Sequence, residues 1–122
     1  MRFTQDLNSN VNVIRGYSPG ELRINDEMFR ATVIVAPSSL RAAPALAGVA
    51  ALSAEYAMHL LELQPEVVLI GTGVRQVFPA AAFGAQFLRS GIGFEVMDTG
   101  AACRTFNVLV GEQRRAVALL IV

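Results

Sequence analysis

The chain has 122 residues, with ten arginines, ten carboxylates, no lysine and one cysteine. At 53% hydrophobic and 16% charged it is too apolar for a disordered tail, and zero net charge gives it no wholesale attraction to nucleic acid or an anionic membrane. One thiol cannot close an internal disulfide, which excludes a disulfide-stapled scaffold, and the length suits a single domain over 1–122.

Residues 1–10 read as a short polar arm. Met1 to Leu7 lacks the apolar core of a signal peptide. The longest apolar stretch, Ala42 to Leu52, holds Pro44 and Gly48 and is too short to span a bilayer. A cytoplasmic protein without stable membrane insertion is expected. From Val11 onward the pattern is that of strands. Val11 to Tyr17 precedes the turn tripeptide Ser18-Pro19-Gly20, Glu21 to Ile24 alternates polar and apolar, and Asn25-Asp26-Glu27 turns again. Met28 to Ala36 ends in the β-branched run Thr32-Val33-Ile34-Val35. The first third therefore reads as an antiparallel meander, followed by a loop from Pro37 to Pro44.

Ser53 to Leu63 reads as a helix. At 100° per residue, Leu52, Tyr56, His59, Leu60 and Leu63 share one face, Met58 and Leu61 lie opposite, and Glu55 and Glu62 mark a polar stripe. Apolar residues nearly all round predict cover from more than one neighbour. The clearest signal is an echo. Val67-Val68-Leu69-Ile70 runs into Gly71-Thr72-Gly73, and Phe94-Glu95-Val96-Met97 runs into Asp98-Thr99-Gly100. Helices are expected after each, over Pro79 to Ser90 with Gly91 just past its end, and over Ala101 to Val110 closed by Gly111. These are successive β/α units with parallel, neighbouring strands. Ala116 to Val122 supplies the last strand. The fold class is α/β: a layered, mixed, mostly parallel sheet with helices, plus the N-terminal meander.

In such sheets ligands bind beyond the carboxyl ends of the parallel strands. That places Gly71, Thr72, Gly73, Asp98, Thr99 and Gly100 at a candidate anion-friendly cleft, with Arg75 and Arg104 as added charge. The same residues equally suit plain turns and helix caps. Gln76 stands where a dinucleotide fingerprint needs its third glycine, and no Gly-Lys-Ser/Thr follows. Glu95, within an apolar strand of a sheet expected to be covered on both faces, is a weak candidate acid or base, or else the partner of Arg104, Arg114 or Arg115, or a strand position that simply faces water. Cys103 would gain reactivity from a helix N-terminus and from Arg104, or is a small packing residue. His59 reads as a core or boundary histidine. One His and one Cys fall short of a zinc site, so no metal and no cofactor are expected. Arg104 and Asn107 share a helix face at i, i+3 spacing, which suits either a recognition patch or a solvated face.

The stretch Gly91 to Leu109, with Leu69 to Gly73 and Glu112 to Arg115, resembles the Mth938-like domain family of unknown function. The most specific segments are Glu95-x-Met97-x-Thr99 and Thr105-Phe106-Asn107, with the glycine pair Gly71 and Gly73. The family includes a mitochondrial assembly factor for respiratory complex I and an adipogenesis-associated domain protein. The resemblance implies a compact α/β domain with no established catalysis. It also implies protein partners, respiratory-complex subunits among them. Two functions follow: a non-catalytic interaction or assembly protein, able to form a homodimer, or a small anion-binding domain or minor enzyme at the Thr-Gly ends, with Arg104 as clamp.

Overall fold

The computed structural model describes residues 11–122; the polar arm expected over residues 1–10 lies outside them. The strands and helices in chain order are β1 (Ile14–Ser18), β2 (Glu21–Ile24), β3 (Glu27–Phe29), β4 (Val33–Ala36), β5 (Ser39–Ala42), α1 (Ala54–Leu61), β6 (Val67–Thr72), α2 (Ala81–Arg89), β7 (Gly93–Met97), α3 (Thr99–Gly111) and β8 (Ala116–Ile121), with a short 3-10 turn at Val49–Ala51 before α1. A three-stranded antiparallel sheet has the order β1-β2-β3, and a five-stranded mixed sheet the order β5-β4-β8-β6-β7.

The two hairpins of the small sheet follow their turn residues. Pro19-Gly20 joins β1 to β2, with Gly20 at φ +90, and Asn25-Asp26 joins β2 to β3, with Asn25 at φ 55. Glycine and asparagine are the residues that tolerate such angles. The expected meander divides at Arg30: β4 leaves the small sheet and pairs antiparallel with β8 in the large one. The loop expected over Pro37 to Pro44 is instead the second arm of a tight hairpin. Pro37-Ser38 turns the chain and β5 pairs with β4 from Ala36↔Ser39 to Val33↔Ala42. Ser39-Leu40-Arg41-Ala42 carries little β-propensity; pairing with the buried β4 makes it a strand.

The echoed segments are parallel neighbours, in register from Val67↔Gly93 to Gly71↔Met97, and β8 lies on the other side of β6. Every residue of β6 and β8 is buried, as expected of central strands covered on both faces. Alternation sends Val67 and Leu69 into one core with α3 and the small sheet. It sends Val68 and Ile70 into a second core with α1 and α2.

The helices differ from expectation at their ends. Ser53 caps α1, and the buried face is Ala57 and Leu60, with Leu52 buried ahead of the helix. Met58 is 62% exposed, so α1 is covered on one side only. Helix α2 starts at Ala81, and Gly91 beyond it takes φ +74, the expected stop. Helix α3 starts two residues before Ala101, because Asp98 caps it by accepting from the Ala101 N–H at 2.9 Å. It includes Gly111, and Gln113 at φ 65 makes the turn.

Candidate functional site

The two Thr-Gly elements meet at the carboxyl end of the large sheet. Thr99 is fully buried. Its hydroxyl donates to the carbonyl of Ile121 at 2.6 Å and accepts the N–H of Gly73 at 2.7 Å. The Thr99 N–H donates in turn to the Gly73 carbonyl at 2.9 Å. One side chain thus ties the ends of β6 and β8 to the start of α3. Gly71 makes room for it: a Cβ there would lie 3.0 Å from Thr99 Cα, Thr99 Oγ1 and Leu120 Cδ2. Thr72 folds its hydroxyl onto the Arg75 carbonyl and accepts the Val77 N–H at 3.1 Å. The side chain of Tyr17 comes close to Gly100, where a Cβ would lie 3.7 Å from Tyr17 Cδ2. Its hydroxyl is buried without a partner, and burial raises its pKa, helped by the nearby Cys103 and Asp98.

The sequence therefore locates this junction, and the structure brings Gly71, Gly73, Asp98 and Thr99 together there. Their polar groups bond one another and the ends of the strands, which is the chemistry of a joint. Arg75 and Arg104 are both exposed.

Other candidate residues fall elsewhere than expected. Glu95 is not inside a sheet covered on both faces. Strand β7 is an edge, and Glu95 is exposed. Arg114 pairs with Glu66 instead, at 3.5 Å. His59 is exposed and packs its ring against Tyr56, centroids 5.2 Å apart. Cys103 is buried, and desolvation pushes its thiol up to about 11 against the opposing pull of Arg104. The helix N-terminus and Arg104 therefore do not activate it. At pH 8 the thiol is largely protonated. Alkylation of the folded protein by iodoacetamide should run about 100-fold slower than that of the urea-unfolded chain. Equal rates would show that the thiol is accessible and ionised.

The Thr105-Phe106-Asn107 segment makes its contacts within the chain. Phe106 is fully buried, and the Thr105 hydroxyl donates back to the Ala101 carbonyl at 2.9 Å. Asn107 is half-buried and separates from the exposed Arg104, so the two form no common patch. Its amide clamps β1, accepting from the Ile14 N–H at 3.0 Å and donating to the Ile14 carbonyl at 2.8 Å. Two further asparagines, which the sequence reading missed, extend this tie. Asn25 donates to Asn12 at 2.9 Å, and Asn12 donates to the carbonyls of Ala36 and Ser39 at 2.8 and 2.9 Å. The small sheet is thereby fastened to α3 and to the β4–β5 hairpin. Asparagines beside turn residues are the only sequence signal of it.

The surface least in keeping with an isolated chain lies on the opposite side of the large sheet. Phe78 is 70% exposed and Leu88 is 64% exposed. A shallow cavity of about 380 Å³ runs between α2 and β7, lined by Phe78, Pro79, Gly84, Leu88, Phe94 and Val96 among others. Phe94 forms its floor, stacked on Phe87 (5.4 Å, 7°) and edge-on to Phe83 (5.8 Å). Gly84 allows this, because a Cβ there would lie 2.6 Å from Phe94 Cε2. A glycine inside an otherwise good helix is the sequence trace of that contact.

The family model described as a protein of unknown function (DUF498/DUF598) matches residues 14–121, from the first strand to the last. The chain belongs to that family. Among solved structures, a Xanthomonas campestris protein superposes with a TM-score of 0.84 at 33% identity, covering 91% of this chain and 84% of that one. A Bordetella pertussis protein called a Mth938-like domain gives 0.79 at 28% identity, over 93% of this chain and 87% of that one. The Mth938-like fold expected from the sequence is therefore the one found. Among curated relatives, the zebrafish (Danio rerio) NADH dehydrogenase [ubiquinone] 1 alpha subcomplex assembly factor 3 is 36% identical over 110 residues, 89% of this chain. The 13 kDa major membrane protein of Francisella tularensis is 36% identical over 62 residues, 51% of this chain. The matches span 63% and 50% of those two relatives' own lengths. No helix among the described residues is long and apolar enough to cross a membrane.

Proposed function

We propose that this chain is a non-catalytic interaction protein of the cytoplasm that helps assemble a respiratory complex. The observation that carries the reading is the apolar groove between α2 and β7, with the large side chains of Phe78 and Leu88 exposed along it. Contiguous apolar surface of this kind marks contact with another macromolecule. The polar groups of the Thr-Gly junction are occupied by one another, which favours a scaffold over a reaction centre. The names of the assembly-factor relatives support the choice of a respiratory complex. The test is deletion of the gene in its native host, followed by native electrophoresis of solubilised membranes stained for NADH dehydrogenase activity. Loss of the assembled complex, restored by the wild-type gene, is expected. An undiminished complex in the deletion strain would sink the reading.

A further inference from the structure

The groove lies beside an open sheet edge, and the two features together restrict what can occupy it. Strand β7 pairs with β6 on one side only. The Gly93 N–H points toward that partner, donating to the Glu66 carbonyl at 3.1 Å. Backbone direction alternates along a strand, so the N–H and C=O groups of Phe94 and Val96 face the open side. One of the four is occupied from this chain: the Gln76 Nε2 amide donates to the Val96 carbonyl at 2.9 Å. It does so from an exposed residue of the β6–α2 loop. A side-chain amide thus stands where the N–H of an added strand would stand.

Side chains alternate as well. Those of Phe94 and Val96 belong to the α2 side, where both pack against the core that holds Phe83 and Phe87. Glu95 therefore projects from the opposite face, and it is exposed. A strand laid along β7 would send every second side chain into the apolar groove under α2 and set the intervening ones beside a carboxylate.

We propose that β7 is a docking edge for an extended segment of a partner protein, one whose apolar residues alternate with basic ones. The segment extends the five-stranded sheet by one strand, with the Gln76 amide displaced. Backbone pairing supplies affinity, and the alternation supplies specificity. A second copy of this chain is the poorer occupant. Antiparallel pairing of two β7 strands about their centre sets Glu95 opposite Glu95, and a shift of one pair leaves the two carboxylates as diagonal neighbours. Like charges so placed destabilise a sheet.

The proposal rests on the interaction reading above but is tested apart from any assembly role, on purified protein. The probes are three nine-residue capped peptides. One alternates valine with arginine, one alternates valine with glutamate, and one is the arginine peptide with its central valine replaced by proline. Titration into nitrogen-15-labelled protein should shift and protect the Phe94 and Val96 amides with the arginine peptide. Binding should be about fivefold weaker with the glutamate peptide, and the proline peptide should give no protection, since proline has no N–H to add to the ladder. Glu95→Arg, a change at an exposed position, should reverse the order of the two charged peptides. Three outcomes would overturn the proposal: shifts that map away from β7 and the groove, equal binding of all three peptides, or a wild-type dimer in sedimentation whose β7 amides are already protected. If the peptides dock as stated while the deletion strain assembles its complex normally, the docking edge stands and the respiratory partner falls.

Discussion

Replacing Thr99 with valine is expected to destabilise the fold by about 3 kcal/mol. Valine keeps the shape of the side chain and removes only the hydroxyl. That hydroxyl is the acceptor for the Gly73 N–H and the donor to the Ile121 carbonyl, at a position with no solvent access. Neither backbone group can turn to water once the hydroxyl is gone, because both belong to strand ends held beneath α3. An unsatisfied buried donor or acceptor costs about 1–3 kcal/mol, and two are created together. Thr99→Ser keeps both bonds and loses one methyl, at a cost of about 1 kcal/mol. Urea unfolding measures the difference, as a lower midpoint with an unchanged slope. If valine and serine cost the same, the hydroxyl does not hold the junction together.

That residue shows where sequence reading reaches and where it stops. The echo of apolar run, Thr-Gly and helix is legible because central parallel strands have no solvated face and so write continuous apolar runs. The same local pattern serves a cradle for an anion or a closed joint. The difference lies in Ile121, 22 residues further on, whose carbonyl accepts the hydrogen bond from the Thr99 hydroxyl. The readings of Glu95 stay open in the sequence for a related reason. Whether a strand is central or at an edge is decided by the strand order β5-β4-β8-β6-β7, and no residue near Glu95 carries that information. His59 is misplaced by geometry. The apolar face that includes His59 depends partly on Leu52 and Leu63, and both lie outside the helix Ala54–Leu61. The buried residues within the helix, Ala57 and Leu60, turn the face away from His59. Strand β5 is invisible because it is exposed or half-buried throughout, and its conformation is imposed by β4. The groove between α2 and β7 left one trace, the helical Gly84, which has meaning only once Phe94 is seen against it.

Gly71→Ala should cost a further 2–3 kcal/mol or about that, and the reason is space alone. Gly71 lies within β6, at a backbone angle open to any residue; the positive φ belongs to Gly73 two residues on, where a Cβ would meet nothing within 4 Å. At Gly71 the added methyl presses on Thr99 Cα, Thr99 Oγ1 and Leu120 Cδ2, each at 3.0 Å. One of these is the main chain of α3 at its capped first turn, and another is a hydroxyl bonded on both sides. Neither yields by a simple rotamer change, so the helix must lift from the sheet end, and lifting it stretches the bonds through which Thr99 joins β6 to β8. The two sites should therefore be coupled. In Thr99→Ala the hydroxyl is absent and its bonds are already lost, so adding Gly71→Ala should cost about 1 kcal/mol less than it does in the wild-type background. A double-mutant cycle by urea unfolding reads this directly. Strict additivity would mean that the Thr99 hydroxyl bears none of the strain, and that the Gly71 methyl presses only on the α3 main chain and Leu120.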